Sequence, residues 1–413
     1  MTTLRFFLFA LLSLSNVAQA SVTALFSPNG GIKKKIQQEL SLAKNHVDIA
    51  MYSFSDAGLV SQVKQLAQSG IKVRLILDSA NQNKDKSAAF EAAGIDVRYV
   101  SFVMHHKFAI VDGPQEGGDS SKSTLMSGSY NWASSAENAY DEDFLVFKNE
   151  KAQILAYQSE FNALWNKAKD FGEAADPSTE FAEFEAPAST SVFTSANFEA
   201  FKRGSSWSFR TAVSLEDGVA GKSVMELLEG AQSTIQVAQA HFRRRDFYEA
   251  LVRALERGVK VEMVLDAQEF NGDEVGELAA EDRTHLDEAL AAQGAVVKYK
   301  SYSRFWNYMT AKQMHSKYLV VDGVSVLTGS FNWSENAELK TFENLVRFDD
   351  EALAGAYQDN FLKIFSYQKG GFKNLLESVK AASGQGPCSF SPLSLSGAEI
   401  LKLRGAYARG ACR

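Results

Sequence analysis

The sequence predicts an α/β protein in which one layered unit of strands and helices occurs twice. Its 413 residues, of which 45% are hydrophobic and 23% charged, have the composition of a globular protein that buries large cores. The chain also repeats itself, because GIKVRLILD at 70–78 returns as GVKVEMVLD at 258–266. The segments at 23–31 and 211–219 repeat at the same offset of 188 residues, which indicates a duplication.

Within each unit, the hydrophobic spacing alternates between the helical and the strand period. Helical spacing at 31–45 precedes an apolar run at 46–54 that is typical of a strand. A helix at 56–69 and a β-branched strand at 72–77 follow. The second half repeats this order, with helices and strands in turn at 221–233, 234–242, 246–257 and 260–265. This alternation predicts a layered α/β unit.

The first 20 residues are predicted to be a cleaved signal peptide. Arg5 precedes the apolar run at 6–12, and Ala-Gln-Ala at 18–20 is typical of a signal peptidase site. A membrane anchor is the alternative, but the run is shorter than the roughly 20 apolar residues that span a bilayer. Ser21 rather than cysteine follows the site, so no lipid attachment is indicated. We therefore expect a periplasmic or secreted protein with no transmembrane segment after cleavage.

Two segments are predicted to lie outside the repeated units. Residues 171–201 contain six acidic residues, two prolines and no Lys or Arg, so we assign 168–208 to an exposed acidic linker. Residues 369–413 form an irregular tail with a short helix. Its two cysteines, Cys388 and Cys412, could form a disulfide in an oxidising compartment.

The net charge of −7 bears on the class of binding partner. Proteins that bind mainly to phosphate backbones are usually basic or carry a large basic surface. The charge therefore disfavours a processive nucleic-acid binder. It leaves a nuclease open, because the local charge of a site can oppose the net charge.

The strongest functional signal is a constellation that occurs in both halves. The first copy consists of His105, Lys107, Asp112, Ser129, Asn131 and Glu142. The second consists of His315, Lys317, Asp322, Ser330, Asn332 and Glu343. In each copy a glycine directly precedes the serine, which suggests a bend. A single His-x-Lys on a strand is usually a surface feature, but recurrence of the whole set indicates function.

These residue types suit chemistry on a phosphate. The motif lies in strand-like sequence, so histidine and lysine two positions apart project from the same face. Lysine and asparagine can bind the non-bridging oxygens, while imidazole can attack phosphorus or transfer a proton near neutral pH. A carboxylate such as Glu142 or Glu343 can fix the imidazole tautomer. We include Asp112 and Asp322 among the candidate catalytic residues, although their odd spacing from histidine and lysine favours a structural role. No metal-binding pattern is present, so no metal or cofactor is expected.

The duplicated HxKxxxxD motif followed by GSxN resembles the phospholipase D superfamily. The resemblance covers about 23–166 and 209–366, and SPNGG and AMYSFSD resemble its secreted nuclease and cardiolipin-hydrolase branch. The first half differs, because nine additional residues precede its GSxN segment and predict a hydrophilic loop between strands. The resemblance implies two phospholipase-D-like α/β/α sandwich domains, at 21–167 and 209–368, each with a mixed sheet. A pseudo-two-fold axis would relate them, with the active site at their interface.

The resemblance also implies a mechanism. One histidine attacks phosphorus to give a covalent phosphohistidine, and the other protonates the leaving alcohol and then activates water. An imidazole bonded to phosphorus cannot also act as the acid, so both rings must meet in one cleft. We expect His105 as the nucleophile and His315 as the acid and base, in a chain that is active as a monomer. The lysines and asparagines would bind phosphate with the serines nearby, and Glu142 and Glu343 would orient the imidazoles.

Two further segments bear on the substrate. Arg243, Arg244 and Arg245 could bind a phosphate or acidic headgroup, or could form a solvated helix start. Residues 298–314 interleave basic and aromatic side chains, which suits nucleic-acid stacking, peripheral contact with an anionic membrane, or core packing.

The acidic net charge favours hydrolysis of a phospholipid headgroup diester, phosphatidyl or cardiolipin-like. The alternative is a metal-independent secreted endonuclease that cleaves DNA or RNA. A third hypothesis is a catalytically inactive phosphate-binding module, which the two complete half-sites disfavour.

Overall fold

The computed structural model describes residues 20–79, 84–172, 181, 184–270, 285–303, 311–367, 371–381 and 389–406. Three sequence features lie outside these residues: the predicted signal peptide up to residue 19, the aromatic residues at 304–310, and both cysteines. The signal peptide and the disulfide therefore stay predictions.

The first half folds around a mixed sheet with helices on both faces. Its strands are β1 (Ser21–Ser27), β2 (His46–Met51), β3 (Lys72–Asp78), β4 (Ile95–Val100), β5 (Val103–Met104), β6 (Lys107–Val111), β7 (Thr124–Gly128), β8 (Glu142–Lys148) and β9 (Lys169–Asp170). All except β5 form one sheet in the order β1-β8-β7-β6-β2-β3-β4-β9. The helices are α1 (Ile32–Leu40), α2 (Ala57–Gln68), α3 (Lys84–Glu91), α4 (Ser134–Asn138) and α5 (Lys151–Lys167).

The second half repeats this arrangement. Its strands are β10 (Ser191–Phe193), β11 (Phe198–Arg203), β12 (Ser206–Thr211), β13 (Thr234–Gln239), β14 (Lys260–Asp266), β15 (Val296–Ser303), β16 (Lys317–Val321), β17 (Ser325–Gly329), β18 (Thr341–Phe342), β19 (Asn344–Asp349) and β20 (Ser389–Leu395). The sheet order is β10-β19-β17-β16-β13-β14-β15-β20. The helices are α6 (Val219–Gly230), α7 (Arg245–Glu256), α8 (Leu286–Ala292), α9 (Glu335–Leu339), α10 (Glu351–Phe365), α11 (Gly371–Ala381) and α12 (Gly397–Ala406).

The two sheet orders correspond position by position, which confirms the duplicated α/β fold. In each sheet the two parallel pairings lie at the same place, β2 with β3 and β3 with β4 in the first half, and β13 with β14 and β14 with β15 in the second. The helices and strands predicted for the repeated unit are present, with ends shifted by a few residues. The additional residues of the first half lie in the loop between β6 and β7, as predicted.

The predicted linker and tail are wrong in part, because both contribute edge strands. β10, inside the assigned linker, pairs with β19 as β1 pairs with β8. Residues 198–211 form the hairpin of β11 and β12. β20, inside the assigned tail, pairs with β15 as β9 pairs with β4. The second unit therefore begins before residue 209 and extends beyond 368.

One hydrophobic core continues from one half into the other. Helices α1 and α2 cover the outer face of the first sheet, and α6 and α7 cover that of the second. The inner faces share a single cluster that contains Tyr157 and Phe161 of α5 together with Tyr357 and Phe361 of α10. Each sheet is thus buried on both faces, which explains the nearly continuous apolar sequences of the central strands. Among the described residues, no helix combines the length and apolar character needed to cross a bilayer.

Candidate active site

The two motif histidines lie just before corresponding central strands, at the contact between the halves. His105 and His315 stand two residues ahead of β6 and β16 respectively. The short strand β5, next to His105, pairs with β18 of the second half. The backbone N–H of His105 donates to the carbonyl of Phe342 at 3.0 Å, and that of His315 donates to Asp141 at 2.9 Å. The backbone of each motif histidine is therefore hydrogen-bonded to the opposite half.

Each half also supplies the carboxylate that holds the imidazole of the other half. His105 Nδ1 lies 2.9 Å from Glu343 Oε2, and His315 Nδ1 lies 2.8 Å from Glu142 Oε1. Both carboxylates are buried, whereas the two histidine side chains retain 13% and 17% exposure. The pairs cross the interface reciprocally, so neither half alone supplies both the motif histidine and the carboxylate that holds it.

Burial and neighbouring charges control protonation in these couples. Burial, followed by the charges of Lys107 and Lys317, holds the pKa of both imidazoles well below the usual range. Burial raises the pKa of Glu343 to about 7, against the opposing effect of Lys107. When the carboxylate is ionised, Nδ1 carries the proton of the neutral ring and donates to it. Nε2 then has a free lone pair that can attack phosphorus or accept a proton.

The two motif lysines are buried ammonium groups beside these couples. Lys107 Nζ donates to the carbonyl of His105 at 2.6 Å, and Lys317 Nζ donates to that of His315 at 2.6 Å. Burial lowers the pKa of Lys107 to about 7 and also lowers that of Lys317. An ammonium has three donors, so a bound oxyanion can accept from those not used by the backbone.

The motif serines lie beside the glutamates. Ser330 Oγ donates to Glu343 Oε2 at 2.5 Å. Ser129 Oγ accepts from the backbone N–H of Asp143, the residue after Glu142, at 2.9 Å. Burial raises the pKa of Glu142 well above its usual range, against the opposing effects of Lys317 and Ser129.

The glycine before each serine is required by the close approach of two strands. Gly128 and Gly329 have φ values of 140° and 156°. A Cβ at these positions would lie 2.4 Å from the carbonyl oxygen of Asp143 and 2.1 Å from that of Asn344. Both distances are far below van der Waals contact, so only glycine lets the chain bend here.

The two motif asparagines differ in their partners. Asn131 Oδ1 accepts from the backbone N–H of Ser53 at 3.3 Å. Asn332 Oδ1 is buried and has no hydrogen-bond partner within the described parts of the chain. Because a phosphate oxygen only accepts, the Nδ2 donors of the two amides, and not their carbonyl oxygens, are the groups that can bind it.

The grouping of Asp112 and Asp322 as catalytic is wrong, and the structural role favoured by their spacing is observed. Each lies just beyond the far end of its strand. Seven residues of extended chain separate it from the motif histidine, which corresponds to roughly 20 Å. Asp112 accepts from the backbone N–H groups of Lys44, Asn45 and His46 at 2.7–3.0 Å. Asp322 binds the corresponding turn in the second half. The aspartates fasten the loop that precedes a neighbouring strand.

Most of the basic residues considered for substrate binding have internal partners. Arg244 is 1% exposed and pairs with Asp246 and Glu338, so it stabilises the fold. Lys300 pairs with Asp141 at 2.6 Å and is also 1% exposed. Of the three roles considered for 298–314, Lys300 therefore has the role of core packing.

Sequence reasoning missed His241 and Tyr52. The ring of Tyr52 packs edge-on against His105 with centroids 4.6 Å apart. His241 Nδ1 lies 2.7 Å from Glu269, which also pairs with Arg243. The repeat offset could have revealed His241, because it replaces Ser53 in an otherwise corresponding segment.

A duplicated α/β/α sandwich with imidazole–carboxylate couples across its interface defines a protein of the phospholipase-D-like class. The family model described as "Cardiolipin synthase, PLD-like domain" matches residues 36–165 and 224–365. The chain belongs to this family, within the phospholipase D superfamily.

Individual relatives match only part of the chain. It is 32% identical over 134 residues to a mitochondrial cardiolipin hydrolase of Chlamydomonas reinhardtii, covering 32% of this chain and 56% of that protein. It is 27% identical over 154 residues to a phospholipase D of Rickettsia prowazekii, covering 36% and 71% respectively. The chain thus spans about half the length of the cardiolipin hydrolases it matches.

Two solved structures are also similar. Nuc from Salmonella typhimurium, a phospholipase D family member, is 28% identical to this chain with a TM-score of 0.30. The match covers 36% of this chain and 87% of the Nuc chain. Polyphosphate kinase from Porphyromonas gingivalis is 14% identical with a TM-score of 0.54 and covers 94% of this chain and 53% of its own. The second likeness extends over both halves and concerns the fold alone.

Proposed function

We propose that the protein hydrolyses the headgroup phosphodiester of a phospholipid, phosphatidyl or cardiolipin-like, through a covalent phosphohistidine. The observation that carries this proposal is the reciprocal pairing of His105 with Glu343 and of His315 with Glu142. It supplies two oriented imidazoles in one buried, cationic environment, as the two-step reaction requires.

In the first step, His105 Nε2 bonds to phosphorus while the bond from phosphorus to the leaving oxygen breaks. The proton on His315 Nε2 moves to that oxygen, and the headgroup alcohol departs. The bound diester is an anion, so it opposes the effect of the lysines and favours the protonated form of His315 that this step needs. Lys107, Lys317 and the Nδ2 donors of Asn131 and Asn332 bind the non-bridging oxygens.

In the second step, a water molecule gives a proton to His315 while its oxygen bonds to phosphorus. The bond from phosphorus to His105 breaks, phosphatidic acid is released, and both imidazoles return to their starting states. Because one chain supplies both halves of the site, a monomer suffices for the reaction.

Two observations support a phospholipid substrate. Several similar proteins are cardiolipin hydrolases, and the chain has a net charge of −7, which disfavours non-specific binding to nucleic acid.

The apolar run at 6–12 and the predicted cleavage site at 18–20 support action in the periplasm or outside the cell.

The test uses purified protein that lacks residues 1–20. Phospholipid vesicles, plasmid DNA and RNA are each supplied as substrate in the presence of a chelator. We expect wild-type protein to release phosphatidic acid, and His105→Ala and His315→Ala each to lower kcat by about 1,000-fold or more. His46→Gln is the matched control, because His46 binds the Gly113 carbonyl away from the site.

Three results would contradict the proposal. Cleavage of nucleic acid and not of phospholipid would contradict the proposed substrate, but it would leave the proposed mechanism in place. Loss of activity with chelator and its return with a divalent cation would overturn the metal-independent mechanism. Full activity of either alanine variant would remove that histidine from the reaction.

A further inference from the structure

A third imidazole lies beside the motif histidines in the second half. β13 and β16 are antiparallel, and Gln239 lies opposite Lys317. In the same register His241, two residues after Gln239, lies opposite His315, two residues before Lys317. After burial and the motif lysines, a charge on His241 also contributes to the lowered pKa of His105 and His315. His241 therefore belongs to the same cleft, although the reaction described above gives it no role.

The His241 ring is held in one orientation and stays accessible. Its Nδ1 lies 2.7 Å from Glu269 Oε1, and Arg243 donates to the same oxygen at 2.8 Å. The Glu269 side chain is 7% exposed, whereas that of His241 is 26% exposed. A buried carboxylate thus fixes a ring that solvent or substrate can reach.

The carboxylate also determines which nitrogen of His241 is available. Burial would raise the pKa of Glu269, but the hydrogen bond and charges of His241 and Arg243 outweigh it and lower the pKa to about 2. An ionised carboxylate only accepts, so Nδ1 carries the proton that it receives. Nε2 is then the nitrogen left for a ligand. It accepts from a hydroxyl group when the ring is neutral and donates to the hydroxyl oxygen when the ring is charged.

This pair occurs in the second half alone. The repeat offset aligns His241 with Ser53 and Glu269 with Asn81, neither of which can supply the same couple. In the first half, Tyr52 packs on His105 instead, and its counterpart in the second half is Ala240. The pseudo-symmetric cleft therefore has two different sides, which can distinguish the two ester groups of a phosphodiester.

We propose that His241 Nε2 forms a hydrogen bond with a hydroxyl group of the leaving alcohol, which makes this side of the cleft a subsite for polyol headgroups. The proposal deepens the proposed function and rests on it. His241 stands beside His315, the group that protonates the leaving oxygen, so a hydroxyl on the departing headgroup falls within its reach. A headgroup without hydroxyls cannot form this hydrogen bond.

The test compares phosphatidylglycerol with phosphatidylpropanol, whose headgroup has the same three carbons and no free hydroxyl. We expect wild-type protein to show a kcat/KM about tenfold higher for phosphatidylglycerol, as one well-placed hydrogen bond provides. His241→Ala should lose this preference, because its kcat/KM should fall about tenfold more for phosphatidylglycerol than for phosphatidylpropanol. His241→Gln, whose amide oxygen can accept from a hydroxyl, should restore part of it.

Ser53→Ala, at the corresponding position of the first half, is the matched control and should keep the wild-type preference. An unchanged preference in His241→Ala, or an equal loss of activity on both lipids, would overturn the subsite and leave the proposed function intact. Failure of the wild-type protein to cleave either lipid would overturn the proposed function and the subsite with it.

Discussion

At the scale of single residues, the site depends on pairs that no local sequence feature reveals. The sequence predicts that Glu142 and Glu343 orient the imidazoles, but it does not tell which glutamate serves which histidine. In the structure each glutamate crosses to the opposite half, where the histidine is 173 or 238 positions away along the chain. The motif identifies the groups because their chemistry is local, whereas their pairing follows from how the two sheets face each other.

The lowered pKa of Lys107 and the raised pKa of Glu343 predict a bell-shaped dependence of kcat/KM on pH. Both values lie at about 7. Below it Glu343 gains a proton and no longer accepts from His105. Above it Lys107 loses the charge that binds phosphate, and His315, whose pKa is also lowered, lacks the proton that it gives to the leaving oxygen. We expect an optimum at or below neutral pH, measured with phosphatidylglycerol vesicles at constant ionic strength.

Glu343→Gln separates these two limbs. The change removes the Glu343 carboxylate, so its part of the acid limb should disappear, whereas the part of Glu142, whose pKa burial also raises, should remain. It also removes a negative charge that raises the pKa of Lys107, so the alkaline limb should move to lower pH. An alkaline limb that stays in place or moves to higher pH would contradict the assignment.

At the scale of elements, the sequence predicts the central strands and misses the edges. β2 and β3 are buried on both faces, so their apolar sequences, interrupted by Asp48 and Arg74, give a strong signal. The edge strand β10 has three residues, and β20 contains a proline, so both lack that signal. Their positions follow from pairing with distant strands, which cannot be read from local composition.

The motif aspartates act at this scale, because they join a strand end to a neighbouring turn. Asp322 accepts from the backbone N–H groups of Gln232, Ser233 and Thr234, each at 2.8 Å. We expect Asp322→Ala to lower the free energy of unfolding by about 1 to 3 kcal/mol, since these donors lose their acceptor. The rate per folded molecule should be unchanged. Urea unfolding with activity at matched folded fraction tests this, and lost activity at unchanged stability would restore a catalytic role.

At the scale of the whole molecule, the halves form one functional unit. The duplication is readable from the sequence, but the shared core of α5 and α10 is not, because their inner faces pack against each other only in three dimensions. The same contact brings each histidine to the carboxylate of the other half. The interface therefore stabilises the fold and assembles the site at once.

The most direct test of this account is to trap the intermediate with bis(p-nitrophenyl) phosphate, whose leaving group needs no proton from His315. We expect His315→Ala to release about one nitrophenolate per enzyme in a burst and to retain a phosphorylated His105, identified by mass spectrometry of the rapidly quenched protein. His105→Ala should show neither. The absence of burst and adduct in His315→Ala, or an adduct formed by His105→Ala, would contradict the division of roles between the two histidines.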